Sequence, residues 1–575
     1  MTAMAEPAGV EELLSIAQGA LIAHDVRGAQ AALDQLPSST DDDPLVGYIR
    51  AAALFAAGDV EGAEAVLARA RNLHVRRIVQ AAGGDLDRLS TDPAYAVEVG
   101  RRFYNAKQMA PAAAAFAYAA AIHGPLMLTA LQLHAEALHY EGRVDEAATA
   151  FAAVFRLEPT PQRHSFFLYS LFFVADGVRR HAEEARNWAR LWANDALPPR
   201  PCFALEPHGG RPLRVGYVAP SFTVNQTRQF MHPLLSAHDP KAVEIFLYVE
   251  AAEQERAPPH IHLRSTRGVE PDEIAQQIRR DRIDILVDVW GHAARNILQV
   301  FGRKPAPVQI SWLNYMQTTG LAAMDYVLHG DFMDAPGKVE AFNEAICDLG
   351  PVTGLFQPDP QAMPSPSPAL ARGYVTFASF NHPAKISAAT LAAWARILKA
   401  CPTARLKFKY APFSDPVLQA QFQARFLAHG VAPEHLQFEG HGQGADYERA
   451  FSEIDLALDP SPCPGGTTTL EAFSRGVPVL TLDGQDFYAR IGVQPLMAIG
   501  LRELIAHDWD DYVARAVELA QDIPRLAQLR AEIRARFDAS PYQDAPGFAR
   551  RLEATYRRLF EKRLIQRLDA TGKAA

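Results

Sequence analysis

Asp459-Pro460-Ser461-Pro462-Cys463-Pro464-Gly465-Gly466-Thr467-Thr468-Thr469-Leu470-Glu471-Ala472 is the stretch on which the reading of the fold turns. An apolar, strand-like segment, Ile454-Asp455-Leu456-Ala457-Leu458, leads into it. A helix-like segment ending near Gly476 leads out, and a second strand follows over Val477 to Leu482. Glycines and threonines therefore stand where a strand hands over to a helix. Glycine permits a sharp turn and lets a ligand come close to the backbone. The free N–H groups of a helix start, with the positive end of its dipole, attract phosphate. Threonine hydroxyls add donors, and Glu471, one turn into the helix, is placed to reach a ribose hydroxyl. Gly465, Gly466, Thr467, Thr468 and Glu471 thus outline a nucleotide-diphosphate site. Read in isolation, the same stretch is equally a helix capped by threonine after a glycine turn.

On either side the chain alternates strands and helices. Before the stretch come strands at Val375–Phe380, Arg405–Tyr410 and Leu436–Phe438, with helices over Ser387–Cys401 and Pro416–His429. Further back a similar series holds strands at Leu213–Val218, Val243–Val249, Ile283–Val289, Val308–Leu313 and Tyr326–Leu328. Such alternation predicts parallel, doubly wound sheets. A segment with five prolines, Pro358 to Pro368, divides the two series. The reading is one α/β unit over residues 211–357 and a second over 371–575, the latter ending in helices. Ligands of such sheets bind beyond the carboxyl ends of the strands.

Residues 1–200 are different. From Val10 to about Ala196 the chain is rich in alanine and helix-periodic. One copy of a pattern runs Leu128, Ala135, Leu138, Gly142, Ala147, Phe151, Val154, Pro159; others start at Pro44 and Pro93, and a weaker one near Val10. The spacing is 34 or 35 residues, except that an insertion lies near Asn72 to Ser90. Small residues at fixed offsets let paired helices pack closely, as in tetratricopeptide repeats. Stacked repeats bury their faces against one another and offer a concave surface. The expected partner is a polypeptide, and the array is expected to meet the α/β half only through its last unit.

Composition narrows the remaining choices. The 575 residues are 49% hydrophobic and 21% charged, with net charge −9. No Lys/Arg run marks a nucleic-acid binder. Cys202, Cys347, Cys401 and Cys463 are scattered, which fits a reducing compartment and no zinc knuckle. No signal peptide, membrane span or basic amphipathic membrane helix is recognisable. The expectation is a cytoplasmic protein with no nucleic-acid or membrane partner.

Three loops after strands carry the other candidate groups. Phe380-Asn381-His382-Pro383-Ala384-Lys385 offers Lys385, which can stabilise charge on a leaving diphosphate or be a solvated surface lysine. Trp290-Gly291-His292-Ala293-Ala294-Arg295-Asn296 offers His292 as an available base, though for one of 19 histidines a structural role is the safer reading. Tyr315-Met316-Gln317-Thr318-Thr319-Gly320 offers Thr318 and Thr319. No carboxylate pair or His/carboxylate cluster with metal-ligand spacing accompanies them.

In this order, the helical array, Arg214-Val215-Gly216-Tyr217-Val218, Lys304 to Leu313, Phe380-Asn381 with Lys385, and Gly465 through Glu471 resemble the O-linked N-acetylglucosamine transferase family. The likeness is to its bacterial, SPINDLY-like branch and covers nearly the whole chain. It implies a tetratricopeptide-repeat superhelix followed by a GT-B pair of Rossmann-like domains. It also implies inverting, metal-independent transfer of a sugar from a UDP-GlcNAc-like nucleotide sugar to Ser/Thr of a protein, with no cofactor. By the same resemblance Lys385, Thr467 and Thr468 meet the diphosphate, Glu471 the ribose, and Tyr447 the base. Asn381 and His382 lie on the donor side, and Asn225, Thr318 and Thr319 on the acceptor side. Asn225 stands where the family usually has a histidine, and His382 where an asparagine is typical. Two alternatives stay open: a CMP-nonulosonic acid donor with flagellin as acceptor, and a non-catalytic scaffold with a degenerate GT-B half.

Overall fold

A computed structural model describes residues 9–81, 84–196, 209–223, 225–250, 257–331, 341–442 and 444–572. The array is built of antiparallel helix pairs: Val10–Ile22 with Val26–Leu33, Pro44–Ala57 with Val60–Ala81, Pro93–Asn105 with Met109–Ala121, and Met127–Glu141 with Val144–Leu157. Helices Pro161–Ser170 and Gly177–Trp192 complete it. Asp43, Asp92 and Thr160 cap helices that begin with proline, so the cap side chain and the fixed φ of proline start each helix together. Small residues set the helix spacing. A Cβ on Gly47 would lie 2.6 Å from that of Ala70, and one on Gly100 would lie 2.4 Å from the Phe116 ring. The insertion is taken up by a lengthened helix, Val60–Ala81, and a short one, Leu86–Thr91.

The first α/β unit holds strands β1 (Leu213–Val218), β2 (Val243–Val249), β3 (His262–Ser265), β4 (Ile285–Asp288), β5 (Val308–Ser311), β6 (Tyr326–His329) and β7 (Ala345–Asp348). They form one parallel sheet in the order β3-β2-β1-β4-β5-β6-β7. The second unit holds β8 (Thr376–Ser379), β9 (Arg405–Lys409), β10 (Leu436–Glu439), β11 (Leu456–Leu458), β12 (Val479–Leu482) and β13 (Ile505–Ala506), in the order β10-β9-β8-β11-β12-β13. Helices cover both faces, so β4, β5 and β8 are buried along their whole length. In each sheet the order reverses beside the first strand, between β1 and β4 and between β8 and β11. The loops that leave β4, β8 and β11 at these switch points are those that carry His292, Lys385 and Gly465.

Two connections bind the parts more tightly than the sequence implies. The last helix, Ala545–Gly572, returns to the first unit. Its Tyr556 hydroxyl lies 3.1 Å from that of Tyr217, its Glu553 accepts from His238 Nδ1 at 2.8 Å, and Phe548 stacks on Trp312. The array, for its part, does not meet the α/β half through its last unit alone. Val417, Ala424 and Leu427 of helix Pro416–Ala428 share one apolar cluster with Leu21, Val46 and Ile49. The Ala110 N–H donates to Asp415 at 2.9 Å, and Tyr140 packs on His382. The array lies along the second α/β unit because that unit exposes an apolar helix face to receive it.

Candidate functional site

The stretch from Asp459 onward forms a closed turn between β11 and the helix Thr467–Ser474. One Asp459 oxygen accepts the Gly465 N–H at 3.1 Å, and the other lies 3.5 Å from the Thr469 hydroxyl. A Cβ at position 465 would come within 2.7 Å of the Asp459 carboxylate and of Thr468 and Thr469 oxygens, so glycine is required there. Burial drives the Asp459 carboxyl up to about 7. Helix Thr467–Ser474 begins without a side-chain cap, which leaves its first N–H groups facing the turn.

Lys385 comes to this turn from β8. Its Nζ donates to the Pro464 carbonyl at 2.9 Å. Asn381, on the same loop, accepts from the Thr468 hydroxyl at 3.3 Å. The two loops are fastened below this point: Ser387 Oγ donates to the Ser461 carbonyl at 2.6 Å, and Ile386 bridges to Pro462. His382 Nδ1 accepts the Ala384 N–H at 3.0 Å, and burial pushes its ring well below the usual histidine range, so it is neutral near pH 7. The structure thus brings Asn381, His382, Lys385, Gly465, Gly466, Thr467 and Thr468 together.

Glu471, one turn into helix Thr467–Ser474, is met by Tyr447 of helix Ala445–Ser452. The Tyr447 hydroxyl donates to Glu471 at 2.7 Å, and burial raises the Glu471 carboxyl. Gln229, from the first α/β unit, lies close enough to Glu471 to lower its carboxyl against the effect of burial, so the two units meet here. The Arg475 guanidinium lies over the rings of Tyr447 and Phe451 at 5.2 and 4.7 Å and pairs with Glu448. Neither Gln229 nor Arg475 was legible as part of the site. Arg475 sits eight residues beyond Thr467, at the end of the helix, where it reads as a last-turn cation.

The acceptor-side expectations fare differently. Thr318 and Thr319 are fully buried, and their hydroxyls donate to Glu344 at 2.6 and 2.5 Å. They hold a carboxylate inside the first unit and present no hydroxyl to the cleft. His292 is likewise fully buried. Its Nε2 meets the Thr319 carbonyl at 2.9 Å and its Nδ1 the Ser165 hydroxyl at 3.3 Å. Burial pushes the ring down to about 3. With both nitrogens engaged it staples the array to the first unit and is not available as a base. Asn225 begins the helix Asn225–Ala237, and its side chain lies outside the described residues.

Aromatic residues of the array close the site from a side the sequence did not indicate. Phe172 stands between Tyr315 of the first unit and Tyr488 of the second, with ring centroids 5.1 and 4.7 Å away. Tyr488 in turn lies 2.8 Å from the Cys463 sulfur. The run Tyr169-Ser170-Leu171-Phe172-Phe173 was the available signal, since a repeat that ends an array has no next repeat to bury such rings.

Two Rossmann-like sheets with a glycine–threonine turn at the second switch point match a glycosyltransferase of GT-B architecture. The chain belongs to glycosyl transferase family 41, whose model matches residues 201–350 and 367–552. It is 31% identical over 421 residues to the tomato (Solanum lycopersicum) "Probable UDP-N-acetylglucosamine--peptide N-acetylglucosaminyltransferase SPINDLY", covering 69% of this chain and 44% of that protein. The Arabidopsis thaliana protein of the same name is 33% identical over 367 residues, 61% of this chain and 40% of the relative. The chain therefore spans less than half the length of these relatives. The solved structure of a Thermobaculum terrenum O-GlcNAc transferase mutant matches with a TM-score of 0.75 and 28% identity, over 96% of this chain and 97% of that one. Among the described residues no helix is long and apolar enough to cross a membrane.

Proposed function

We propose that this chain is a protein O-glycosyltransferase that moves a sugar from a nucleotide-sugar donor, UDP-GlcNAc or a close analogue, to Ser or Thr of a protein acceptor. The observation that carries the reading is the meeting of Lys385, Asn381 and Thr468 at the Gly465 turn. The names of the relatives support the donor and the peptide acceptor. In the proposed reaction the acceptor hydroxyl oxygen attacks the anomeric carbon from the face opposite the diphosphate, which inverts that centre. The bond from the anomeric carbon to the phosphate oxygen breaks, and its electron pair stays with the diphosphate. Lys385 and the N–H groups at the start of Thr467–Ser474 stabilise that charge. His292 is enclosed and neutral, so the departing phosphate takes the hydroxyl proton. Because the cationic charge comes from Lys385 and the helix start, transfer is proposed to need no divalent cation or other cofactor. The free, buried thiols of Cys347, Cys401 and Cys463 suit a cytoplasmic location. The array is proposed to bring the polypeptide acceptor to the cleft.

The test is incubation of the full chain with UDP-, GDP- and CMP-sugars and candidate acceptor proteins, flagellin included, followed by mass spectrometry. Modification of Ser or Thr with UDP-GlcNAc, undiminished by EDTA, is the expected result. Transfer from a CMP-nonulosonic acid instead would replace the donor and keep the enzyme. Loss of transfer in EDTA with recovery on Mn²⁺ or Mg²⁺ would overturn the assignment of the diphosphate contacts. Absence of transfer from every donor, with nucleotide still bound, would favour a scaffold.

A further inference from the structure

Gly58 and Gly142 occupy equivalent places in their repeats. Each follows the first helix of a pair, each is left-handed, with φ of 84° and 81°, and each closes its helix with the same backbone bonds. Gly58 N–H donates to Phe55 O and Asp59 N–H to Leu54 O; Gly142 N–H donates to His139 O and Arg143 N–H to Leu138 O. Their surroundings differ. A Cβ on Gly58 would meet nothing within 4 Å. A Cβ on Gly142 would lie 2.9 Å from the Pro383 carbonyl oxygen and 3.0 Å from its carbon. The array turn therefore rests directly on the backbone two residues before Lys385.

The residues around Gly142 reinforce that seat. The Tyr140 and His139 rings lie 4.9 and 5.0 Å from the His382 ring, and His139 packs edge-on to Phe173 at 4.7 Å. Ala384 is buried in the cluster of Phe172, Phe173, Tyr315 and Cys463. On its other side the loop is held by Lys385 to Pro464 and by Ser387 to Ser461. The Lys385 loop is thus clamped between an array turn and the phosphate turn.

We propose that the turn Tyr140–Arg143 of the array positions the Lys385 loop, so that the array and the donor site are coupled. The proposal rests on the reading of that loop as a phosphate-binding one. Coupling is reciprocal: whatever shifts this turn, a polypeptide lying on the array included, alters nucleotide affinity, and nucleotide alters affinity for the polypeptide by the same factor.

Gly142→Ala and Gly58→Ala, made in the full chain, form a matched pair. Both force alanine into a left-handed turn and incur the same backbone strain, but only the first meets the Lys385 loop. UDP, GDP and CMP are titrated against wild type and both variants by calorimetry, with thermal unfolding of each. The expected result is that Gly142→Ala weakens the best-bound nucleotide by about 5- to 150-fold, the span usual for coupled sites, while Gly58→Ala loses thermal stability without losing affinity. Equal affinity in the two variants would overturn the coupling and leave the proposed function standing. Failure of wild type to bind any of the three would overturn the phosphate reading itself. Should Gly142→Ala not fold, Tyr140→Leu decides: it removes the ring from His382, and unchanged nucleotide affinity in that variant overturns the proposal.

Discussion

Asp459 turns both carboxylate oxygens inward, one to the Gly465 N–H and one toward Thr469, and leaves neither to a ligand. Its work is to hold the turn, whereas Lys385 and Thr468 are the groups proposed to meet the diphosphate. The distinction can be measured. Lys385→Ala should reduce single-turnover transfer by about a hundredfold or more, the scale of losing one donor to a developing anion; near-wild-type turnover would refute its role. Asp459 is a case of proton linkage. Its folded value, about 7, is raised above the unfolded one of about 4. Its contribution to stability is therefore complete below about pH 4 and is lost as the pH rises through about 7. Asp459→Asn, which still accepts from Gly465, should flatten the fall in stability between these limits, read from thermal unfolding across pH. An unchanged slope would show that Asp459 does not carry the linkage. The Gly465 turn itself was legible because strand, glycine turn and helix follow one another within the run from Ile454 to Ala472. Thr318, Thr319 and His292 were not, because what decides their roles is Glu344 and Ser165, groups far away in the chain. A hydroxyl after a strand looks the same in sequence whether it faces a cleft or a buried carboxylate.

Helix Pro416–Ala428 shows what is and is not legible in an element. Its extent follows from the Asp415 cap and Pro416, and the sequence places it within a residue. Its two apolar faces are another matter. Leu418, Phe422 and Phe426 pack on the sheet of the second α/β unit, while Val417, Ala424 and Leu427 pack on the array. A helix apolar nearly all round reads as deeply buried, but nothing in the run says that the second cover comes from array residues between Leu13 and Ala110. Strands β3, β7 and β13 were missed for a related reason: they are edge or short strands whose pairing rests on the neighbour more than on their own apolar pattern. Leu427 is almost fully buried at this interface. Leu427→Ala should cost about 2–5 kcal/mol and lower the unfolding of array and second α/β unit together. Two separated transitions in denaturant, with only the array shifted, would show that the helix face does not join them.

At the scale of the whole molecule the array, the two sheets and the last helix form an interlocked body. Stacked repeats alone would suggest that residues 1 to about 195 can be removed with nucleotide binding intact. The structure predicts otherwise. Their removal uncovers Val417 and Leu427, takes Ser165 from His292 and lifts the turn from Pro383. The remaining α/β fragment should aggregate or unfold at lower temperature and bind nucleotide poorly. A stable, monomeric fragment that binds nucleotide like the full chain would refute this. The return of helix Ala545–Gly572 to the first unit carries a consequence for synthesis on the ribosome. Tyr217 is joined to Tyr556, 339 residues later. At about 5–20 residues per second, the first sheet, complete at Asp348, waits roughly 10–40 s for Tyr556 of the helix that covers Trp312 and His238. For that interval it is an unfinished nascent domain with an apolar flank open to chaperones, and a message truncated before codon 545 would leave it so permanently.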